Sequence, residues 1–372
     1  MSSSYSAAAR TFTSTVAISP LALARQSRQS RQRMVLAVLA LLLLVVMAVC
    51  AGLGAYRIEP WQVPRLLWSG TELSAAQAQA RAVLLDIRLP RVLLAVLVGC
   101  GFGAAGSALQ ALFRNPLADP GLIGVSSGAA LGAATIIVLG GVLWPSALSV
   151  AGIYAPMLAA FAGALAVALL VYRIGAAKGR LALPILLLAG IAFNAISMAG
   201  IGVLSFIAGD AQLRTLTFWN LGSLASAHWS LLAVAAPVVL LCAAAMARHS
   251  AALNAMLLGE AEAQHLGVPV QHVKRQVLIV SSLCVGGLVA CTGTIGFIGL
   301  VAPHCIRLAC GPDQRVVLPG AMLFGALLTL LADLAARTMA APAELPLGIL
   351  TALLGGPFFI VLLWRRRAQL GL

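Results

Sequence analysis

The sequence predicts an all-α polytopic membrane protein with about ten transmembrane helices and both termini in the cytoplasm. Of its 372 residues, 61% are hydrophobic and only 9% are charged, whereas about a quarter of the residues in a soluble domain are charged. Apolar runs of roughly 20 residues recur along the chain, and a helix needs this length to cross a bilayer. The runs do not alternate polar and apolar residues as barrel strands do, so helices are predicted.

Ten such runs define the predicted spans. The seventh and eighth have barely enough residues between them for two crossings and a turn, at roughly 20 residues per crossing. The predicted spans are 34–54, 92–112, 122–141, 150–172, 181–207, 230–247, 276–295, 296–312, 316–336 and 346–364.

The basic residues predict the orientation of these spans. A formal net charge of +14 could indicate a nucleic-acid partner, but the basic residues lie at the ends of apolar runs, where they set membrane orientation. With a cytoplasmic N-terminus, the inner segments collect most of the 24 basic residues. Both termini are then inside, which requires an even number of spans. We therefore expect contact with membrane lipid and none with nucleic acid.

The two ends of the chain are predicted to lie outside the membrane. Residues 1–33 are rich in Ser, Gln and Arg and contain no acid, which is typical of a disordered basic arm. A cleaved signal peptide is the alternative, but the apolar stretch from Met34 is too long for a signal core. The transmembrane domain is predicted over 34–366, including a cytoplasmic loop at 248–275, and 367–372 form a cytoplasmic tail.

Arginines on the outer side oppose the usual charge bias, and Arg88 and Arg91 stand at the predicted mouth of the second span. Because arginine binds carboxylates through a planar fork, they predict a protein partner with surface carboxylates. Snorkelling towards lipid phosphate is the alternative. Asp333, placed well inside a span, precedes Arg337 by one helical turn in the favourable acid-before-base order. A structural pair is predicted there rather than a proton-coupling site.

Two stretches interrupt the helical pattern. In FRNPLADPGLIG, Asn115 and Pro116 contribute to a strong turn signal, and an ordinary loop is the simplest interpretation. The stretch GTIGFIGLVAPHCIRLACG carries several glycines together with Pro303 and His304. It predicts a shortened or broken helix, as found at binding sites and moving parts of transporters. Close glycine packing between helices is an equally good interpretation, and both stay open.

A third feature is a short polar segment, NAMLLGEAEAQHLGVPV, between two apolar runs. Gly259 and Gly267 let the chain turn sharply at both of its ends. A helix lying on the membrane surface is disfavoured, because Glu260 and Glu262 would face anionic lipid. The remaining interpretation is a short helix that contacts a soluble cytoplasmic partner.

No motif for catalysis, energy supply or metal binding is recognisable. The phosphate loop G-x-x-x-x-G-K-[ST] is absent, and no nucleophile–base pair stands in a known motif. The 7 cysteines and 5 histidines lack metal-ligand spacing, so the cysteines are interpreted as small apolar packing residues. We expect no catalytic residue, no metal site and no permanently bound cofactor. Any energy for transport must come from another protein.

Four stretches in order resemble the permease subunits of bacterial ABC importers for iron-siderophores, haem and cobalamin. They are RLPRVLLAVLVGCGFGAAGSALQALFRNPLADPGLIGVSSGAALGA, LLGEAEAQHLGV, GTIGFIGLVAPHCIRL, and LADLAAR followed by ELPLGILTALLGGPFFIVLL. Each piece alone is a weak signal, but four in order are a strong one. The resemblance covers roughly 34–366.

The resemblance implies a homodimer of ten-helix subunits in the bacterial inner membrane. Two cytoplasmic ATPase subunits, which bind ATP and magnesium, would drive it, and a periplasmic binding protein would deliver the substrate. A short cytoplasmic helix between the sixth and seventh spans would seat in the ATPase. The coupling helix would comprise Leu258, Gly259, Glu260, Ala263, Leu266 and Gly267.

The resemblance also assigns roles to other residues. Arg88, Arg91 and Arg337 match the arginines that dock glutamates of the binding protein. Asn115 and Leu117 match positions near the cytoplasmic gate. The stretch ALPILLLAG departs from relatives that carry small hydroxyl residues there, which leaves the inner gate undefined. Gate or pathway residues are expected at Asn115, Pro116, Leu117, Pro303 and His304.

The substrate is the least constrained feature. The outer segment DAQLRTLTFWNLGSLASAHW resembles the haem-importing branch, so haem import is the expected function. A ferric siderophore or cobalamin on the same machinery is the alternative, and an ion-coupled secondary transporter is a third hypothesis. A membrane enzyme is disfavoured because no catalytic motif is present.

Overall fold

The fold was examined in a computed structural model that describes residues 20–54, 56, 58–59, 61–68, 74–177, 180–340 and 343–369. Within these residues, eight helices are long and apolar enough to cross a membrane. Two shorter apolar helices accompany them, Ile298–Cys310 and Leu347–Leu362. Together they give the predicted architecture of about ten membrane helices, and the all-α fold class is confirmed.

Ten helices cross the bundle. They are α1 (Pro20–Gly52), α4 (Leu89–Leu112), α5 (Val125–Leu143), α7 (Ala155–Gly175), α8 (Leu183–Ile207), α10 (Trp229–Arg248), α13 (Val270–Thr292), α14 (Ile298–Cys310), α15 (Gln314–Thr338) and α16 (Leu347–Gln369).

Shorter elements connect them. The helical ones are α2 (Gln62–Trp68), α3 (Ala75–Ala82), α6 (Pro145–Ala151), α9 (Asp210–Asn220), α11 (Ser250–Leu258) and α12 (Glu260–His265). A π-helical turn at Val83–Arg88 joins α3 to α4, and 3-10 turns lie at Pro120–Ile123 and Gly152–Tyr154. The strands β1 (Ala176–Ala177) and β2 (Arg180–Leu181) pair antiparallel, with Ala176 opposite Leu181.

Helix α4 is the centre of the bundle, and most of its residues are buried. It packs against α15, α14, α13 and α10, while α5 packs against α7 and α8. The close packing depends on small residues: a side chain at Gly99, Gly103 or Gly106 would overlap a backbone carbonyl of α15 or α14. Small residues let membrane helices approach this closely, so that dispersion contacts hold them together.

The predicted disordered arm at 1–33 is wrong in its second half, because α1 begins at Pro20. The helix continues there since its side chains find partners on α14. Gln32 is buried and its Nε2 donates to Cys310 O at 2.9 Å, while the Arg31 guanidinium donates to Ala309 O. Residues 1–19 lie outside the described part of the chain. At the other end, α16 runs to Gln369, so the predicted tail at 367–372 is helical for its first three residues.

The helix of the second predicted span begins well before residue 92. A single helical stretch runs from Ala75 to Leu112, and at about 57 Å it is longer than the roughly 30 Å apolar core of a bilayer. Arg88 and Arg91 therefore lie within a helix, and their place at the mouth of the span stays a prediction. Both residues are buried. Hydropathy misses this start because the polar side chains find hydrogen-bond partners inside the protein, which removes the cost of burial.

Residues 276–315 cross and return in a shortened form. Helix α13 begins at Val270, earlier than predicted, and α14 has only 13 residues. Such a helix rises about 20 Å, less than the roughly 30 Å apolar core of a bilayer. The turn at 293–297 therefore lies at membrane depth. Both sequence interpretations hold here, since the helix is interrupted and Gly299 also packs against Gly106.

Candidate functional site

An ionic cluster joins α4, α15 and the segment that follows α15. Arg91 donates from Nε to Asp333 Oδ1 at 2.9 Å, and its Nη1 donates to both carboxylate oxygens of Glu344 at 3.0 and 2.9 Å. Asp333 is 1% exposed, whereas the Glu344 side chain is 44% exposed. Such paired guanidinium–carboxylate contacts fix geometry as well as charge. The cluster thus connects a buried acid to a residue at the surface.

Two further arginines hold the outer end of α1. Arg88 donates to Ala51 O at 2.8 Å and to the carbonyls of Gly52 and Tyr56. Arg337 donates to Cys50 O at 2.9 Å and to Leu53 O at 3.1 Å. Cys50, Ala51 and Gly52 are the last residues of α1, and carbonyls at a helix end have no partner within the helix. The arginines therefore cap α1 and also hold the segment that follows it.

Asp333 and Arg337 are in contact, as the sequence predicted for a structural pair: Arg337 Nε lies 3.3 Å from Asp333 Oδ2. The sequence did not identify Glu344, although an acid just before the last apolar run was a visible signal. All three arginines are engaged by acceptors of the same chain in this conformation. Their docking to a binding protein stays a prediction, and Glu344 is the most exposed member of the network.

The polar cytoplasmic segment forms the two short helices α11 and α12. Gly259, at φ 144°, separates them, and Gly267, at φ 81°, follows the second. Only glycine adopts such angles without strain, which explains the sharp turns at both ends. Ala263 is fully buried against the bundle, whereas Leu258 and Leu266 are 70% and 66% exposed. Two large apolar side chains thus point away from the protein on one short segment.

Polar contacts fix this segment to the membrane helices. Glu260 Oε2 lies 2.6 Å from Lys274 Nζ, and Lys274 is buried at the start of α13. Asn254 of α11 donates from Nδ2 to Asp313 Oδ1 at 2.6 Å, and its Oδ1 accepts the N–H of Gln314 at 2.7 Å. The segment is therefore attached to both α13 and α15, so a force on it would reach two membrane helices.

The NPLADP turn lies between α4 and α5. Asn115 Oδ1 accepts the N–H of Leu117 at 3.0 Å, and Asp119 Oδ1 accepts that of Gly121 at 2.7 Å. Burial raises the pKa of the Asp119 carboxyl above its usual value, while the Gly121 hydrogen bond opposes that shift. Asn115 is exposed, and Pro116 and Leu117 are half-buried. These contacts account for the turn, and a gate role for these residues stays a prediction.

Helix α14 is attached to the central helix by polar groups. Buried Gln110 of α4 donates to Gly299 O at 3.3 Å and to Leu300 O at 3.4 Å, and it accepts from Arg307. Pro303 and His304 are buried on the same helix. The His304 ring meets the ring of Phe358 on α16 edge-on, with centroids 5.8 Å apart. Both predicted pathway residues are thus packed in this conformation.

Three irregular segments meet at the outer end of α13. Ser223 donates from its backbone N to Thr292 O at 2.7 Å, Leu347 to Gly222 O at 2.9 Å, and Gly348 to Leu221 O at 2.9 Å. Backbone groups at membrane depth must be satisfied within the protein, and these bonds do so. The junction joins the end of α13 to the segment that follows α9 and to the start of α16, and only its glycines mark it in the sequence.

Metal chemistry has no visible support. In the part of the chain that the structure covers, no group of three or more His, Cys, Asp or Glu side chains could hold a metal ion. The seven cysteines are free thiols. The absence of a resident metal or cofactor stays a prediction.

Comparison with known proteins gives consistent matches. The hemin transport system permease protein HmuU of Yersinia pestis is 49% identical over 286 residues, covering 77% of this chain and 84% of that protein. The cobalamin import system permease protein BtuC of Halobacterium salinarum is 38% identical, covering 83% and 81%. A solved structure described as an inward-facing metal-chelate type ABC transporter superposes with a TM-score of 0.77 at 32% identity, covering 90% of this chain and 99% of that one.

The family model agrees with these pairwise similarities. The match runs over residues 39–365, which is nearly the whole membrane bundle. It includes the ionic cluster, the α11–α12 segment and the α13–α14 turn. The chain belongs to the FecCD transport family.

Proposed function

We propose that this chain is the permease subunit of an ATP-driven importer that carries haem across the bacterial inner membrane. The observation that carries the proposal is the 49% identity to a hemin permease over 77% of the chain. The cobalamin permeases share 38–39%. Cobalamin therefore stays the second candidate, and a ferric siderophore the third, since the matched structure is described as of the metal-chelate type.

The α11–α12 segment supports an ATPase partner on the cytoplasmic side. Leu258 and Leu266 are exposed on a polar segment, where lipid contact would bring Glu262 against anionic headgroups. A groove on a soluble protein offers apolar contact without that cost. Each subunit of a homodimer would present one such segment, so two ATPase subunits, with their own ATP and magnesium, would be engaged.

Attachment of the segment suggests how ATP would drive transport. Binding and hydrolysis in the ATPases would move α12, and the Glu260–Lys274 and Asn254–Asp313 contacts would pass this motion to α13 and α15. The relative populations of the outward-open and inward-open states would then shift. The gate itself would involve α14, whose shortness leaves a non-helical turn at membrane depth.

A periplasmic binding protein would deliver the substrate to the outer side. Glu344, the exposed end of the ionic cluster, competes with any carboxylate of that protein for Arg91. Docking at Arg88, Arg91 and Arg337 would therefore require exchange of internal partners for external ones. Such an exchange would change the contacts of these arginines with α15 and α1, so docking would act directly on both helices.

The test is uptake into vesicles that contain the permease, its ATPase and its binding protein. Haem, a ferric siderophore and cobalamin are each offered, with and without ATP. The proposal expects ATP-dependent accumulation of haem and little of the other two. Preferential cobalamin uptake would transfer the function to the second candidate. Uptake that a proton gradient drives without the ATPase would overturn the ATP-driven mechanism.

A further inference from the structure

A groove on the cytoplasmic side borders the proposed ATPase contact, because Leu258 is one of its lining residues. It lies between residues 28–36 of α1, the end of α11 and the start of α15, and it measures about 570 Å³. Its polar wall includes Arg28, Arg33 and Arg315, all with exposed side chains. Its apolar wall includes Leu36, Leu257 and Val316. The groove thus has a cationic rim above an apolar floor.

Its depth corresponds to the headgroup layer of the inner leaflet. From Gly52 back to Arg33, α1 rises about 30 Å, the thickness of the apolar core. Arg28 lies about 7 Å further out, and the headgroup layer on each side is about 5–7 Å thick. Leu36 falls just inside the core. The arginines are therefore level with lipid phosphates, and the floor is level with the first acyl carbons.

The charge of the groove is not neutralised by the protein. Arg28, Arg33 and Arg315 take part in none of the ion pairs found among the described residues. Asp313 is the acid of the groove, and its Oδ1 already accepts from Asn254 Nδ2 at 2.6 Å and from the Arg315 N–H at 3.0 Å. The groove therefore contains three guanidinium groups and a single carboxylate, which already accepts two hydrogen bonds. This excess of positive charge would attract an additional anion.

The α1 side of the groove is attached to the end of α14. Gln32, on the same helical turns, is buried and donates to Cys310 O at 2.9 Å. Arg31 donates to Ala309 O, and the Arg28 guanidinium lies against Gly311. An arginine that only snorkels from a lone helix lacks such fixed neighbours. Arg28, held in this way, loses less side-chain entropy when it binds a phosphate.

We propose that this groove binds the phosphodiester headgroup of an anionic phospholipid, such as phosphatidylglycerol, from the cytoplasmic leaflet. Arg28, Arg33 and Arg315 contact the phosphate, and the acyl chains cover Leu36 and Val316. An acidic protein surface would satisfy the same charges, and the ATPase proposed to contact Leu258 lies next to the groove. A soluble partner approaches from beyond the headgroup layer, however, whereas Arg28 and Arg33 lie level with that layer. The depth therefore favours lipid. The bound lipid would join α1 to α11, which carries the exposed Leu258.

The experiment measures lipid retention by the purified full-length chain in native mass spectrometry. Dioleoyl phosphatidylglycerol and dioleoyl phosphatidylcholine are added in equal amounts. The triple variant R28Q/R33Q/R315Q is compared with R114Q/R173Q/R180Q, which removes three exposed cytoplasmic cations outside the groove. A basic residue near a membrane surface favours anionic lipid about fivefold. We expect the phosphatidylglycerol preference to fall at least fivefold in the first variant and less than twofold in the second.

A lysine variant, R28K/R33K/R315K, retains the charge and should keep most of the preference, which separates lipid binding from loss of fold. Equal losses in the two glutamine variants would overturn the proposal, because bulk cytoplasmic charge would then explain the preference. Displacement of the lipid by millimolar inorganic phosphate would also overturn it, since a free anion would be the ligand. Unchanged lipid preference with weaker ATPase association would identify a protein surface instead.

Discussion

The contact between Glu260 and Lys274 allows a quantitative test of how the cytoplasmic segment is held. In Glu260→Gln, the buried Lys274 ammonium, 3% exposed, loses the carboxylate that lies 2.6 Å away. It keeps one bond to Leu181 O at 3.3 Å. A hydrogen bond to a charged group contributes about 1.5–3 kcal/mol. Because the Glu260 side chain is 35% exposed, solvent screening places the loss near the middle of that range, about 2 kcal/mol.

This loss should appear as local opening of α12 rather than as global unfolding. Amide hydrogen exchange is the assay, since it measures local opening. The N–H groups of Leu266 and Val268 bond to carbonyls of the same turn at 3.0 Å and should report it. A change of about 2 kcal/mol corresponds to roughly 30-fold faster exchange.

The matched control is Glu262→Gln, which removes the same charge from an exposed position on α12. It should change exchange less than threefold. The variant Glu260→Gln/Lys274→Met removes both partners and leaves no unpaired buried charge, so it should recover most of the protection. Equal acceleration by the two glutamine variants would refute the reasoning, because the ion pair would then contribute nothing.

Three further outcomes are expected. Leu266→Arg, at an exposed site, should lower substrate transport per ATP hydrolysed at least fivefold without changing the melting temperature; unchanged coupling would remove Leu266 from the ATPase contact. Asp333→Asn should lower the free energy of unfolding by about 3 kcal/mol, because the buried Arg91 loses a charged partner; equal denaturation midpoints would contradict this. Burial and, to a smaller extent, the nearby His272 lower the pKa of His249, although a hydrogen bond that His249 donates to Gln276 opposes the shift. Stability should therefore be complete above the unfolded pKa of about 6.5 and decline as pH falls below it. His249→Gln should lose this decline, and an identical pH profile would exclude His249 as its source.

The sequence predicted the membrane fold because apolar length and end-of-span charge are local properties. The all-α class and about ten helices follow from such runs alone, and the comparisons confirm the permease resemblance. Gly259 and Gly267 correctly marked both ends of α12, since only glycine adopts the observed backbone angles easily. The contact between Asp333 and Arg337 was also predictable, because residues one turn apart are neighbours on a helix.

What the sequence missed depends on partners far away along the chain. Arg88 and Arg91 read as surface residues, yet they are buried against carbonyls and acids contributed by other helices. Lys274 was counted as a cytoplasmic loop residue, although Glu260 makes its burial possible. Likewise, α1 extends to Pro20 because α14 offers free carbonyls to Gln32. Local hydropathy contains no information about such acceptors.

The glycine contacts of α4 restrict how this membrane bundle can change shape. At Gly99 and Gly103 the backbones of α4 and α15 are in direct contact, with no side chain between them that could adjust its rotamer during a movement. Sliding by even a fraction of a turn would drive a Cα into the facing peptide plane. We therefore expect α4 and α15 to move together as one rigid body. Bending is then left to places where the chain is already non-helical, such as the 293–297 turn.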